Sequence, residues 1–292
     1  MKNWDDFQLI LALHKVGTIR KAANLLGVNH STVSRRLAQL AHEHKDPLFE
    51  KTPSGYKATE KGQLLVSNAN DIQKIVFSSN RQLSTIGSAL SGNLSLSVPD
   101  AIGQYLLVDA ITDFCAMHPL INLQVSSSYD LIDLNKNQAD VVVRGTDNPL
   151  EHLVGHRLFP YYLCDYGHKD YLTNTPRKAL QWICKPFSGP KPEWMENSYY
   201  HDVSIGMQIA DVTLRHLCLM NKKGLSRSPC YIADQYPELR RLPDSKPSAV
   251  ADLWVLTHPD LRHNEKVKAL MKHLNSALRA KKDLIIGNCY QH

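Results

Sequence analysis

The sequence predicts an α/β protein in three parts: a small helical head closed by a β-hairpin, one long helix, and a two-lobed α/β body. Three observations carry this. Residues 17–40 hold two short helical patterns around a glycine. From Leu65 apolar residues recur three or four positions apart for more than three heptads. From residue 93 strand and helix patterns alternate almost to the end. At 292 residues and 43% hydrophobic, the chain has material for more than one core.

The head begins with a helix on Trp4, Phe7, Ile10, Leu11 and Leu13, stopped by Gly17. Ile19, Ala22, Ala23 and Leu26 recur at helical spacing, and Gly27 supplies the left-handed stop that a residue without Cβ adopts cheaply. Val28 then reads as a core plug and Asn29 as the N-cap of a second helix through Val33, Leu37 and Leu40. This is a helix-turn-helix pattern. The second helix opens with Asn29, His30, Ser31, Thr32, Ser34, Arg35 and Arg36, short hydrogen-bonding groups followed by cations. A recognition helix needs that order, because its N-terminal end meets base edges in the major groove. The alternative is an ordinary two-helix corner with a polar face.

After the motif, Pro47–Lys51 and Gly55–Thr59 read as two short strands around a Thr-Pro-Ser-Gly turn, a cationic wing. Arg20, Lys51 and Lys57 complete the candidate DNA contacts.

Phe7, Gly17–Ala23, Leu26, Val28, Ser31–Arg36, Leu40, Pro47–Phe49, Gly55-Tyr56 and Thr59-Glu60-x-Gly62 together resemble the N-terminal domain of LysR-type transcriptional regulators, without a gap over about 65 residues. The resemblance implies that His30, Ser31, Ser34 and Arg35 lie at the DNA and Lys51 on the wing. Two positions depart from the pattern: Ser31 stands where many members carry Pro, and Lys45 where a helix-ending Gly is usual.

Charge follows the same division. Residues 1–90 hold 12 Lys/Arg against 7 Asp/Glu and residues 91–292 hold 22 against 21, so five of the six net positive charges fall in the N-terminal third.

The long helix carries Leu65, Ala69, Ile72, Val76, Ser79, Leu83, Ile86 and Leu90 at spacings of four and three. A narrow seam of 3.5-residue period favours pairing between chains over packing on its own domain. Leu65, Ile72, Val76, Leu83, Ile86 and Leu90 are therefore the candidate dimerisation residues. The domains are read as 1–59 winged helix-turn-helix, 60–91 linker and dimerisation helix, and 92–292 effector-binding body.

In the body, strands are expected at Leu94–Val98, Ile121–Ser126, Ala139–Arg144, Tyr161–Asp165 and Leu253–Thr257, and around Trp182 and Ser226. Helices are expected at Tyr105–Met117, Gly206–Asn221 and through Val267, Leu270, Met271, Leu274 and Leu278. Strands joined by helical crossovers imply a parallel sheet. The segment Ala139–Gly145 resembles the LysR effector domain, itself similar to periplasmic binding proteins. Parallel sheets bind ligands at the carboxyl ends of their strands. That rule selects Pro99, Asp100 and Ala101, then Ser126, Ser127 and Ser128, then Arg144, Gly145 and Thr146, with Ser204 from the opposite lobe. Asp100 and Arg144 are equally readable as a helix cap and a structural ion-pair partner.

The six cysteines show no C-x-x-C spacing, and no P-loop, G-x-G-x-x-G or G-x-S-x-G is present. His42-Glu43-His44 and the pair His152 and His156 lack a third ligand nearby in sequence. No metal, cofactor or catalytic group is expected, and the absence of a long apolar run points to a cytoplasmic protein. The expectation is a LysR-type regulator that binds a two-fold operator in double-stranded DNA and a small effector. Self-association as a dimer or tetramer and contact with RNA polymerase are expected too. The competing readings are a two-lobed binding protein or enzyme with an accessory DNA-binding head, a non-specific DNA protein, and a redox sensor using Cys218 and Cys230.

Overall fold

The computed structural model describes residues 4–85, 90–127 and 139–290. The chain divides into two compact units, Met1–Leu83 and Ser84–His292.

In the first unit α1 (Trp4–Val16), α2 (Ile19–Leu26) and α3 (His30–Glu43) are followed by strands β1 (Phe49–Thr52) and β2 (Gly55–Ala58), then by α4 (Glu60–Thr85). Leu9, Ile10, Leu13, Ala22, Val33, Leu40 and Leu48 close one core. Thr18 caps α2 by accepting from the Lys21 amide, and Gly27 ends it at φ +67° while the Val28 amide bonds back to the Ala23 carbonyl at 3.1 Å. Val28 is 43% exposed, so it does not plug the core. The turn points it outward, and Val33 fills the space instead. Asn29 takes the N-cap position of α3 with its backbone alone, and its side chain makes no capping bond.

Lys45 adopts φ +58°, the conformation a glycine supplies more cheaply at the end of α3. Gly55, in the β1–β2 turn, is required by contact: a Cβ there would lie 2.2 Å from the Gly17 carbonyl oxygen, which accepts a bond from the Tyr56 amide.

The second unit opens with β3 (Gly92–Val98), followed by α5 (Asp100–Ile102), a π turn at Gly103–Leu107, α6 (Val108–Met117) and β4 (Ile121–Ser127). Next come β5 (Val141–Gly145), β6 (Val154–His168), α7 (Lys169–Asn174), β7 (Gln181–Cys184), α8 (Glu193–Glu196) and β8 (Ser204–Gln208). The chain finishes with α9 (Val212–Met220), β9 (Ser226–Pro229), α10 (Cys230–Ala233), β10 (Leu239–Arg241), β11 (Ser248–Thr257), α11 (Glu265–Ala280) and α12 (Lys282–Ile285).

One seven-stranded sheet runs β10-β6-β11-β5-β3-β4, with β9 also on β6, and a second pairs β7 with β8. Only β3 with its neighbours β4 and β5, and β7 with β8, are parallel. β11 pairs antiparallel with β5 and β6, correcting the all-parallel expectation. The reason is topological. The fifteen-residue β6 pairs β11 through its first half and β9 and β10 through its last, so it leads from one lobe into the other while β11 returns beside it.

The first lobe closes over Leu96, Leu106, Phe114, Val141, Val143, Val255, Leu270 and Leu274. The second closes around Trp182, Cys184, Met195, Val203 and Leu225. The helix expected from Gly206 is strand β8 up to Gln208, and helix begins only at Val212, where the Asp211 carboxylate accepts from the Leu214 amide at 2.6 Å.

Candidate functional site

The exposed end of α3 is built by its own periodicity. Val33 and Leu40 face the core, which leaves His30, Ser31, Thr32, Ser34 and Arg35 exposed on the first turns. Among the described residues, the side chains of His30, Ser31, Ser34 and Arg35 have no hydrogen-bond or ion-pair partner. They are available to an external ligand. Arg20, Asn29, Lys51 and Lys57 are exposed too, the two lysines on adjacent strands of the hairpin.

Arg36 is different. It lies three residues after Val33 and four before Leu40, on the flank of the buried stripe. Its Nε donates to Asp6 Oδ1 at 2.5 Å and its Nη1 to Gln39 Oε1 at 2.9 Å, and Asp6 is fully buried. This expected DNA contact is therefore a clamp joining α3 to α1.

Along α4, Val66 and Ala69 are buried in the head, and Leu65, Ile72 and Val76 are half-buried. Leu83 is 64% exposed, and Leu90 follows the helix, also exposed. Ile86 lies outside the described residues.

In the body, a cleft of about 490 Å³ is lined by Pro99, Ala101 and Ile102, by Arg144 and Gly145, by Tyr161 and Leu163 of β6, by Lys185, Ala210, Val212 and Arg215, and by Arg227, Pro229, Tyr231 and Val250. The strand-end rule thus located the cleft through Pro99, Ala101, Arg144 and Gly145. Other expected members stand elsewhere. Asp100 accepts from the Ala101 amide and does not line the cleft. Ser126 and Ser127 end the edge strand β4, beyond β3 from the cleft strand β5. Thr146 is held in a turn, its amide donating to the Asp252 carbonyl and its carbonyl accepting from Trp254 Nε1 at 3.0 Å. Ser204 begins β8 opposite Gln181, whereas the cleft lies past the other end of those strands at Lys185 and Ala210. Ser128 lies outside the described residues.

Four cations line the cleft, and among the described residues no carboxylate does. Arg144 is 2% exposed and stitches β5 to β3, its Nη1 donating to the Ser97 carbonyl at 3.0 Å and its Nη2 to Ser97 Oγ at 2.8 Å. Arg215 is 7% exposed and donates from Nη1 to the carbonyls of Ile209 and Ala210. Arg227 stacks over Trp194, donates to Ser248 Oγ and lies 3.5 Å from Asp165, whose carboxyl burial pushes up despite that neighbour. Lys185 is exposed with no ion-pair partner among the described residues. Tyr161 and Tyr231 meet edge to face at 6.4 Å, and a Cβ on Gly145 would lie 2.7 Å from the Tyr161 ring. The sequence reading missed Lys185, Arg215, Arg227 and both tyrosines. They come from elements distant in sequence, and no short motif marks them.

Beside Arg215 on α9, His216 is 1% exposed, with neither ring nitrogen hydrogen-bonded, packed between Tyr105 and Tyr236. Burial lowers its pKa from 6.5 to about 4. The unfolded imidazole takes up a proton below about pH 6.5 and the folded one does not, so stability falls as pH drops from 6.5 toward 4. The shift corresponds to a loss on the order of 3 kcal/mol at the acid end. His216→Phe, which keeps the ring packing, is expected to flatten that limb in denaturant melts across the same pH range.

Burial also pushes the Cys230 thiol up to about 12, so Cys230 does not present a reactive thiolate at neutral pH. Among the described residues no helix is long and apolar enough to cross a membrane.

Residues 4–63 match the family described as bacterial regulatory helix-turn-helix protein, lysR family, and residues 87–279 match the LysR substrate binding domain. The Mau operon transcriptional activator of Paracoccus denitrificans is 29% identical over 271 residues, covering 89% of this chain and 91% of that protein. Among solved structures, CrgA, a LysR-type transcriptional regulator from Neisseria meningitidis, shares the fold at a TM-score of 0.57 and 18% identity, over 95% of this chain and 99% of that one. Full-length LysG from Corynebacterium glutamicum, solved with bound effector Arg, does so at 0.53 and 16%, over 95% and 98%. With both family domains matched in order along most of its length, the chain belongs to the LysR family of transcriptional regulators, with a DNA-binding helix-turn-helix and a LysR substrate-binding domain.

Proposed function

We propose that this regulator reads a two-fold symmetric operator as a dimer and responds to a small organic acid held in the cleft of Arg144, Lys185, Arg215 and Arg227. The observation that carries the effector class is the lining itself: four cations, two tyrosines, an apolar wall and, among the described residues, no carboxylate. An anion entering such a cleft gains charge-assisted bonds, while a cation meets charge of its own sign. LysG is described with bound arginine. The cationic lining here opposes a second guanidinium and favours a ligand whose charge is all carboxylate. Arg144, tied to Ser97, and Arg215, tied to the Ile209 and Ala210 carbonyls, supply fixed field and wall, and the exposed Lys185 supplies a mobile donor.

For DNA, the unpartnered side chains of His30, Ser31, Ser34 and Arg35 at the start of α3 support base reading, and Lys51 and Lys57 support phosphate contact from the wing. Two-fold pairing along the seam of α4 places two such helices about one helical turn of DNA, roughly 34 Å, or more apart.

Thermal titration of the full-length protein against a panel of small carboxylic acids and their neutral amides tests the effector class. Stabilisation by acids alone is expected, about 2.7 kcal/mol at 100 times Kd. Equal stabilisation by the amides contradicts it. In sedimentation, Ile72→Asp with Leu83→Asp is expected to yield monomers that hold only a half-site. A wild-type chain that is monomeric at micromolar concentration contradicts the pairing.

A further inference from the structure

A second concave surface lies on the first lobe of the body, away from the cleft. It is a groove of about 680 Å³ between the start of β6, the end of β11 and one face of α11. Its walls carry His156, Arg262, Lys268, Lys272 and Arg279, and among the described residues no carboxylate lines it. A row of cations on a helix is usually a solvated face, and three features separate this one from that case. First, the groove has a floor: Met271 and Asn275 line it and are each only 8% exposed. Second, the Asn275 side-chain carbonyl at that floor is buried without a hydrogen-bond partner, an unsatisfied acceptor that calls for a donor. Third, Lys272 and Arg279 have no ion-pair partner among the described residues, although Lys268 on the same helix is paired with Glu265 at 2.9 Å.

We propose that this groove is a second small-molecule site, independent of the effector cleft, for a compact polyanion carrying two or more carboxylate or phosphate groups. The volume falls within the range of small-ligand pockets, roughly 300–1,000 Å³. Lys268, Lys272 and Arg279 recur at four and seven residues along α11, so their charges lie about 6 and 10 Å apart along the axis, the spread of a molecule with separated anionic groups. Arg262 and His156 close the ends of the same field. A DNA backbone offers the same phosphate chemistry, but the buried floor at Met271 and Asn275 is within reach of a small molecule and out of reach of a duplex edge.

The test uses the full-length protein in metal-free buffer with citrate and inorganic pyrophosphate as probes, matched in ionic strength with sodium chloride. Calorimetric titration is expected to show saturable binding of at least one probe below millimolar concentration. Lys272→Glu with Arg279→Glu, both exposed positions, is expected to weaken that binding at least tenfold with an unchanged circular dichroism spectrum, and Arg215→Gln in the cleft is expected to leave it intact. Absence of binding by both probes overturns the proposal. So does binding that Arg215→Gln abolishes and the charge reversal spares, which places the anion in the cleft instead. If the charge reversal lowers DNA affinity in polyanion-free buffer and no probe binds, the groove is a contact for the DNA backbone and the small-molecule site does not exist.

Discussion

Arg36→Ala is expected to destabilise the head more than Arg35→Ala or Asp6→Asn does, because it takes the guanidinium away from a carboxylate that stays buried. Asp6 is fully enclosed, whereas Arg36 is 28% exposed on its side chain, so the two halves of the pair are not equivalent. Asp6→Asn leaves Arg36 able to reach water and is expected to cost less. Arg35→Ala, one residue away, should leave the melt of the head within about 0.5 kcal/mol of wild type, since its side chain touches no partner to lose. Its effect is expected on DNA: a bidentate arginine–guanine contact contributes roughly 1–3 kcal/mol of discrimination, so operator binding weakens about tenfold or more while binding to random DNA changes little. Denaturant melts and gel-shift titrations of both variants separate the roles. Loss of stability in Arg35→Ala, or equal loss of operator and random binding, reverses the assignment and makes Arg35 a structural or phosphate contact. Lys51→Ala is the control for the latter, with uniform loss and a shallower salt dependence.

Arg215→Gln is expected to have the largest effect in the body. Glutamine removes the charge from the cleft and, being shorter, also releases the Ile209 and Ala210 carbonyls that Arg215 Nη1 satisfies at 2.6 and 2.8 Å. A charge-assisted bond contributes about 1.5–3 kcal/mol, so affinity for an acidic effector should fall by one to two orders of magnitude. DNA affinity without effector should stay near that of wild type, because a ligand shifts a regulator only through its differential affinity for two states. Calorimetry with an acid found in the thermal panel, together with gel shifts with and without it, provides both readings. An unchanged effector Kd removes Arg215 from the ligand shell and leaves it as the lock on the loop before α9.

Where the fold was legible in the sequence, the signal was local. Gly27 and the apolar spacing of α2 and α3 are decided within one or two turns of helix, so they read directly from residues 17–40. Arg36 was legible in principle, since its spacing from Val33 and Leu40 puts it beside the buried stripe, but the adjacent Arg35 and the polar run around it masked that signal. Residues 206–208 show the opposite failure. Apolar and polar positions there suit a helix as well as a strand, and only pairing with β7, which puts Met207 opposite Ile183, selects strand.

The sequence by itself determined the order of the parts, the exposed reading face of α3 and the concentration of positive charge in the head, all of which follow from nearest neighbours and composition. Tertiary structure decided the rest of the site. Arg144, readable from the sequence as a ligand contact or as a structural ion-pair partner, is stitched to Ser97, because closing β5 onto β3 brings that hydroxyl and carbonyl within bonding distance. Lys185, Arg215, Arg227 and Tyr231 were invisible as a group. They come from the loop after β7, from α9 and from the β9–α10 segment, and side chains so placed share a cleft only after two lobes fold around the strands that join them.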